Sequence, residues 1–380
     1  MNMLINARCL EGKRTGVGRY LANLLDIWTN ANIGSQFHLY FKDAISKDLF
    51  VQRQNVQNVL ALPAKGLNLG PIWENYFLPR ALNKNNDQGI YFSPLYTLPA
   101  YPVNRPQVVT IFDISYVAHP EWFPFKHRAP MQLLTGPTLK KADLVLTGSE
   151  ATKSEILRFY DIEENKIAVT NLGVDPSFIR LNESDHEEVV DRTKQKYKLE
   201  GKVVLFLGLI MNRRNLPAIM EAVSELVRKE GEMVTLLVVG KNHTFPYYDI
   251  EELAEKFQIT DNFRWVKYTD DEEIFSFYKA ADVFMCASLY EGFNITPLEA
   301  LHLGTPVICS KLSSLPEVVG EAAFLLNDPE DPGEIKLALE SVLFDDQLSK
   351  SLSKAGVEQS NKFSWEKCAD QTLKLFEKIS

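Results

Sequence analysis

Two glutamates eight positions apart, Glu291 and Glu299, frame the stretch whose residue types could do the most chemistry, SLYEGFNITPLEALHLGTP over 288–306. Glu291 closes a loop after a short apolar run, and Glu299 falls within a short helical pattern. Between them Gly292 lets the backbone come close to a ligand, and Pro297 suits the first turn of a helix. The N–H groups near Asn294, Ile295 and Thr296 would then lie at a helix start, where free amides and the positive end of the helix dipole hold anions. Two carboxylates beside an anion site make sense for a ligand carrying both hydroxyls and phosphate. Carboxylates accept hydrogen bonds from hydroxyls, and helix amides donate to phosphate oxygens.

Two more glycine loops, TGVGRY over 15–20 and LGLIMNRRN over 207–215, also follow apolar runs and precede helical patterns. In an open parallel sheet, ligands sit beyond the carboxyl ends of the strands, and all three loops fall at such positions. The first is a poor dinucleotide fingerprint, because Leu21 stands where a third small residue is needed and no strand ending in Asp or Glu follows. None of the pairs Gly12-Lys13, Gly201-Lys202 and Gly240-Lys241 continues into Ser or Thr, which excludes a P-loop.

The elements that must position these loops are legible as apolar runs. The strands expected in the first half are Met3–Ala7, Gln36–Phe41, Ile90–Phe92, Val108–Phe112, Leu144–Thr147 and Lys166–Thr170. In the second half they are Val203–Leu207, Val234–Val239, Phe263–Val266, Val283–Cys286, Val307–Cys309 and Ala323–Leu325. Amphipathic segments such as Val17–Ile27, Glu150–Tyr160, Leu216–Lys229, Ile250–Phe257 and Asp271–Ala280 separate them. Strand–helix alternation with strands this apolar predicts parallel sheets buried on both faces. The series restarts after a polar, charged stretch over 181–199, which reads as a linker or linker helix in preference to a solvated helix inside one large domain. The expectation is an α/β chain of two Rossmann-like, doubly wound domains, over 1–180 and 200–361.

A length of 380 residues suits two domains at about 150 residues each. With 41 basic against 50 acidic residues the net charge is −9, which lacks the overall field for wrapping nucleic acid, so none is expected as a partner. The four cysteines, Cys9, Cys286, Cys309 and Cys368, form no CxxC pair, excluding a zinc knuckle. The opening MNMLINARCLEGK lacks the plan of a signal peptide, and no run approaches the roughly 20 apolar residues of a membrane span. A cytoplasmic chain is expected.

The segment EGFNITPLEALHLGTPVICS over 291–310 closely resembles the Glu-x7-Glu signature of glycosyltransferase family 4, whose members have the two-domain GT-B fold. FLGLIMNRRNLPAIMEAV resembles that family's diphosphate loop, and ADLVLTGSEATKSEI, SSLPEVVGEAAFLLNDPED and FSWEKCADQTL look like members that transfer mannose and related sugars. The resemblance runs from TGVGRY to the last helix. It implies two Rossmann-like domains facing across a cleft, an N-terminal one for the acceptor and a C-terminal one for a nucleotide-sugar donor. It also implies a C-terminal helix, about 362–380, returning to the first domain.

Carried over by residue, the resemblance implies that Glu299 binds the nucleotide ribose. Glu291 would face the donor sugar, with Gly292, Phe293, Asn294, Ile295 and Thr296 holding hydroxyls and phosphate through backbone amides. Arg213 and Arg214, with Gly208 ahead of them, would meet the diphosphate, and a fixed cation there favours a transition state in which leaving-group charge grows. Gly16 and Gly18 would close over the same phosphates. The chain departs from the family pattern at Arg214, usually lysine, at Leu209, basic in many members, and at Phe112-Asp113, where many relatives carry His-Asp. Asp113 remains a site residue, and His119 is the nearest histidine.

The activity implied is a retaining transfer of a sugar, mannose first, from a GDP- or UDP-linked donor to a glycan or lipid-linked acceptor in surface polysaccharide assembly. No Asp-x-Asp occurs, so no metal or other cofactor is expected. The basic-aromatic stretch from Trp122 to Arg128, with Lys140 and Lys141, could meet acidic lipid headgroups at the inner membrane face. The alternatives are a catalytically inactive nucleotide-sugar-binding relative, motivated by Phe112 and Leu209, and a nucleotide-sugar epimerase of the same fold.

Overall fold

Strands buried on both faces need helices above and below, and the computed structural model supplies them around parallel sheets. It describes residues 1–12, 16–31, 34–43, 53–61, 70–85, 88–181, 187–230, 233–269 and 271–380. The chain forms two compact units. One comprises Met1–Ile114, Ala129–Gly173 and Ser364–Ser380, the other Ser115–Arg128 and Val174–Phe363.

In the first unit β1 (Asn2–Asn6), β2 (Gln36–Phe41), β3 (Val56–Leu60), β4 (Ile90–Ser93), β5 (Gln107–Thr110), β6 (Leu144–Thr147) and β7 (Ile167–Val169) form one parallel sheet. Its order is β3-β2-β1-β4-β5-β6-β7, so the chain winds outward in opposite directions from the β1/β4 pair. β3 is absent from the sequence reading. It is an edge strand, only partly buried, and its polar Gln57 and Asn58 interrupt the apolar run that marks central strands.

The helix Trp365–Glu377, capped by Ser364, belongs to this unit and packs on the helix Gly16–Asn30. Trp28, fully buried, donates its indole N–H to the Ala369 carbonyl at 3.0 Å and meets the Phe376 ring at 6.0 Å. The returning chain passes so close to Gly173 that a Cβ there would lie 2.3 Å from the Trp365 nitrogen. Only glycine permits that approach.

In the second unit β8 (Lys202–Leu207), β9 (Val234–Val239), β10 (Phe263–Val266), β11 (Val283–Cys286), β12 (Val307–Ser310) and β13 (Phe324–Leu326) form a second parallel sheet. The order β10-β9-β8-β11-β12-β13 reverses between β8 and β11. The helix Leu216–Glu230 and the helix Pro332–Phe344 pack against each other beside this sheet and bury Ile219, Val223, Leu339 and Val342 against it.

The charged stretch read as a linker over 181–199 lies partly outside the described residues, at 182–186. The helix Glu187–Tyr197 within it packs on the helix Asp271–Ala280 as part of the second unit. The Tyr197 hydroxyl donates to Glu273 at 2.5 Å, and Lys196 pairs with the same carboxylate. Its charge reflects an outer face in water, since within it only Thr193 is buried. The first unit ends at Gly173 rather than 180, and Ser115–Arg128 belong with the second unit through contacts no linear pattern reveals. Among the described residues no helix is long and apolar enough to cross a membrane.

Candidate functional site

The second sheet reverses its order between β8 and β11, and the loops leaving those two strands carry the charged cluster. A switch point of this kind leaves a crevice at the carboxyl ends, because the connections on either side depart in opposite directions. The two loops are tied by a hydrogen bond from the Leu289 amide to the Arg213 carbonyl, 2.7 Å.

Glu291 is 3% exposed and fully engaged. Arg213 Nη2 lies 3.4 Å from its Oε2, and Arg214 Nε lies 3.2 Å from its Oε1. Ser288 Oγ and Asn294 Nδ2 each donate to Oε1 at 3.1 Å. The hydroxyls of Ser313 and Ser314 donate to the Glu291 carbonyl at 2.6 and 2.9 Å. A buried carboxylate is tolerable only when compensated, and this one holds two guanidinium groups in place in return.

Gly208 makes room for that arrangement. Its φ of +123° is one that side chains rarely adopt, and a Cβ there would lie 2.2 Å from Arg214 Nη1. That same nitrogen donates to the Leu207 carbonyl at 2.9 Å, which fixes the guanidinium beneath the loop. Arg213 reaches the other way, with Nη1 3.5 Å from Ser115 Oγ.

The helix Ile295–His302 starts at Asn294, held at φ 66°. The Asn294 side chain accepts from the Thr296 amide at 3.2 Å and from the Thr296 hydroxyl at 2.8 Å. The Thr296 N–H is therefore capped from within the chain. Phe293 is buried with its ring edge-on to Phe363 at 5.8 Å, so its backbone alone is available for binding.

Glu299, 5% exposed, accepts from the Tyr278 hydroxyl at 2.9 Å, while the same hydroxyl lies 3.1 Å from the Thr296 carbonyl. Burial, and next the Glu299 charge, push the Tyr278 phenol well above its ordinary range, so it stays a donor. Tyr278, Ser313 and Ser314 were missed as site residues by the sequence reading. SSLPEVV lay within a recognised motif, but nothing local marks Tyr278.

The structure thus gathers Glu291, Arg213, Arg214, Gly208 and Asn294 around one carboxylate, with Gly292, Phe293, Ile295, Thr296 and Glu299 on the adjoining loop and helix. Gly16, Gly18 and Asp113 belong to the first unit, and the second unit's cluster assembles without them. Gly16 and Gly18 open the helix Gly16–Asn30, and Asp113 follows β5, half-buried; Thr15 of the TGVGRY loop lies outside the described residues. His119 sits in the second unit beside Tyr290, the neighbour of Glu291, with ring centroids 5.4 Å apart. Its ring stacks on Trp122 at 4.1 Å, and its Nδ1 is 3.2 Å from Glu121 Oε1. Chemically, two fixed guanidinium groups, a helix start and two carboxylates suit a ligand with phosphate at one end and hydroxyls at the other.

Comparison with known proteins agrees. A family model described as Glycosyl transferases group 1 matches residues 189–359. The O-antigen chain mannosyltransferase B of Escherichia coli is 32% identical over 288 residues, covering 76% of this chain and 74% of that protein. The serotype-specific mannosyltransferase WbdA of Escherichia coli is 27% identical over 241 residues, covering 63% of this chain but only 29% of its own length. Among solved structures, Anabaena HepE in complex with UDP and glucose has a TM-score of 0.76 at 17% identity, with 100% of both chains covered, a likeness of fold. With its two Rossmann-like units, its charged switch point and these relatives, the chain belongs to the group 1 glycosyltransferases of GT-B fold and is a hexosyltransferase.

Proposed function

We propose that this glycosyltransferase moves mannose, with retention of anomeric configuration, from GDP-mannose to a glycan or lipid-linked glycan in surface polysaccharide assembly. The observation that carries the reading is the Glu291 carboxylate locked between Arg213 and Arg214 at the switch point of the second unit. The similarity to mannosyltransferases supports the sugar, and HepE, solved with UDP, keeps UDP-linked donors as the second choice.

Arg213 and Arg214 meet the diphosphate, where each charged hydrogen bond contributes about 1.5–3 kcal/mol, and they stabilise the leaving group as its charge grows. Glu299 takes the ribose hydroxyls, while Glu291 orients the sugar. Both Glu291 oxygens are already engaged, which argues for a positioning role over a covalent nucleophile. Retention then follows from same-face displacement. The C1–O bond to phosphate breaks as the acceptor oxygen bonds to C1, and the acceptor proton passes to the departing phosphate oxygen. The guanidinium groups supply the positive charge that other transferases take from a metal, so full activity in EDTA is expected. Exposed Phe125 and Leu133 on the basic helix Phe125–Lys141 support peripheral contact with acidic lipid.

The test is incubation with GDP-mannose or UDP-hexoses and a panel of mannosides, with the new linkage read by NMR. An α-mannosyl product from GDP-mannose supports the reading. An inverted β-product sinks the mechanism, and nucleotide binding without transfer to any acceptor favours the inactive relative.

A further inference from the structure

Two cysteines without a role so far meet beside the charged cluster. Cys286 ends β11 and Cys309 lies in β12, and the two strands pair in parallel with Cys286 directly opposite Cys309. In-register neighbours project from the same face. Adjacent strands lie about 4.8 Å apart, inside the roughly 4.4–6.8 Å that separates the Cα atoms of disulfide-linked cysteines. Both thiols are free, and Cys309 donates its S–H to the Cys286 sulfur. That sulfur also accepts from Asn294 Nδ2 at 3.5 Å and lies 3.6 Å from Ser288 Oγ. Asn294 and Ser288 are the same two side chains that donate to Glu291 Oε1.

The surroundings give the two thiols different parts. The hydrogen bond from Cys309 holds Cys286 below the ordinary thiol range, with help from the Arg214 charge, against burial and the Glu291 charge. Burial first, and then the contact with Cys286, push Cys309 well above that range, so it keeps its proton. Cys286 is 5% exposed at the carboxyl end of its strand, whereas Cys309 is 0% exposed, so a water-sized oxidant in the crevice reaches Cys286 first. The other cysteines, Cys9 and Cys368, are each pushed up to about 12 by burial. A thiol of lowered pKa with a second thiol poised against it is the arrangement that selects one pair for oxidation.

We infer that Cys286 and Cys309 form an oxidative modification site, a dithiol that a hydroperoxide closes into a disulfide at the edge of the Glu291 cluster. The Cys286 sulfur attacks the peroxide O–O bond and becomes a sulfenic acid, and its proton leaves with the departing oxygen as water. The Cys309 sulfur then attacks the sulfenic sulfur. The S–S bond forms, and the sulfenic hydroxyl leaves with the Cys309 proton as a second water. The two thiols lose two electrons in all, and the peroxide takes them. The bond turns the Cys286 side chain toward Cys309 and away from Asn294 and Ser288. Those two groups hold the carboxylate that aims Arg213 and Arg214, so oxidation should weaken binding of a nucleoside diphosphate. That consequence rests on the transferase reading, whereas formation of the bond does not.

The experiment treats reduced wild type with hydrogen peroxide, blocks the remaining thiols with iodoacetamide and maps the peptides by mass spectrometry. GDP and UDP are titrated into the same samples. The expected result is a linked Cys286–Cys309 peptide, lighter than the reduced pair by two hydrogens, with Cys9 and Cys368 alkylated. Nucleotide affinity should fall about tenfold and return on treatment with dithiothreitol. Cys309→Ala keeps the attacking thiol without its partner, so peroxide should leave a sulfenic acid at Cys286, trapped by dimedone. The wild-type map decides alone if that protein does not fold. Cys286 and Cys309 both alkylated after peroxide, or a linked peptide with nucleotide affinity unchanged, overturns the inference. Reduced wild type that binds neither nucleotide would instead remove the transferase reading, and the peptide map would still decide whether the bond forms.

Discussion

The switch points of the two units are built from the same topology and opposite electrostatics. In the second unit the Glu291 carboxylate is matched by two guanidinium groups, a hydroxyl and an amide. In the first unit a single guanidinium–carboxylate pair, Arg8 and Glu74, is joined by the neutral side chains of Thr97 and Ser93. The difference teaches what each crevice is prepared for. A preorganised charged cluster suits an anion whose charge grows during reaction, because no dipoles need to turn when it does. A single compensated pair among neutral side chains presents no such excess of fixed positive charge.

The largest effect should come from breaking the matched side. Glu291→Ala leaves Arg213 and Arg214 nearly buried without their carboxylate, and both lose the contacts that aim them. Transfer should fall by about a thousandfold, with stability lowered by about 3 kcal/mol, read from initial rates and urea midpoints.

A pair of single-atom deletions sharpens the contrast. Tyr278→Phe and Tyr91→Phe each remove a fully buried phenolic oxygen. The first breaks a hydrogen bond to Glu299 and should cost about 1–2 kcal/mol of stability and raise the donor KM about tenfold. The second reaches only the neutral side chains of Ser93 and Asn6 and should cost less than about 1 kcal/mol of stability, with the donor KM unchanged. Equal losses in thermal midpoint would erase the distinction between the two crevices.

The smallest effect concerns pH. Burial, then the Lys279 charge, lowers the His302 pKa on the helix that carries Glu299. The fold therefore favours neutral His302, whose contribution is complete above the ordinary value near about 6.5 and is lost as pH falls through the lower folded value. His302→Gln should flatten that part of the stability profile below neutrality.

Much of the second unit was legible in the sequence because its strands are predominantly apolar. Val234–Val239, Phe263–Val266 and Val283–Cys286 have the bounds expected from the sequence. The first unit hid more. Its edge strand β3 is interrupted by Gln57 and Asn58; in the second unit the charged helix Glu187–Tyr197 read as a linker because its packing on the helix Asp271–Ala280 is a tertiary contact. The site followed the same division. Glu291, Glu299, Arg213 and Arg214 sit in compact motifs, whereas Tyr278 reaches Glu299 from another helix. Arg8 and Glu74 lie on separate elements and meet only when the unit folds, so no spacing announces them.

The central claim is that the second-unit cluster binds a nucleoside diphosphate. Its most direct test is calorimetric titration of GDP and UDP into wild type, Glu299→Gln and Arg214→Ala. One nucleotide should bind wild type and lose at least about tenfold in affinity in each variant, since each loses a hydrogen bond to ribose or phosphate. Equal affinity in all three proteins, or no binding of either nucleotide to wild type, would contradict it.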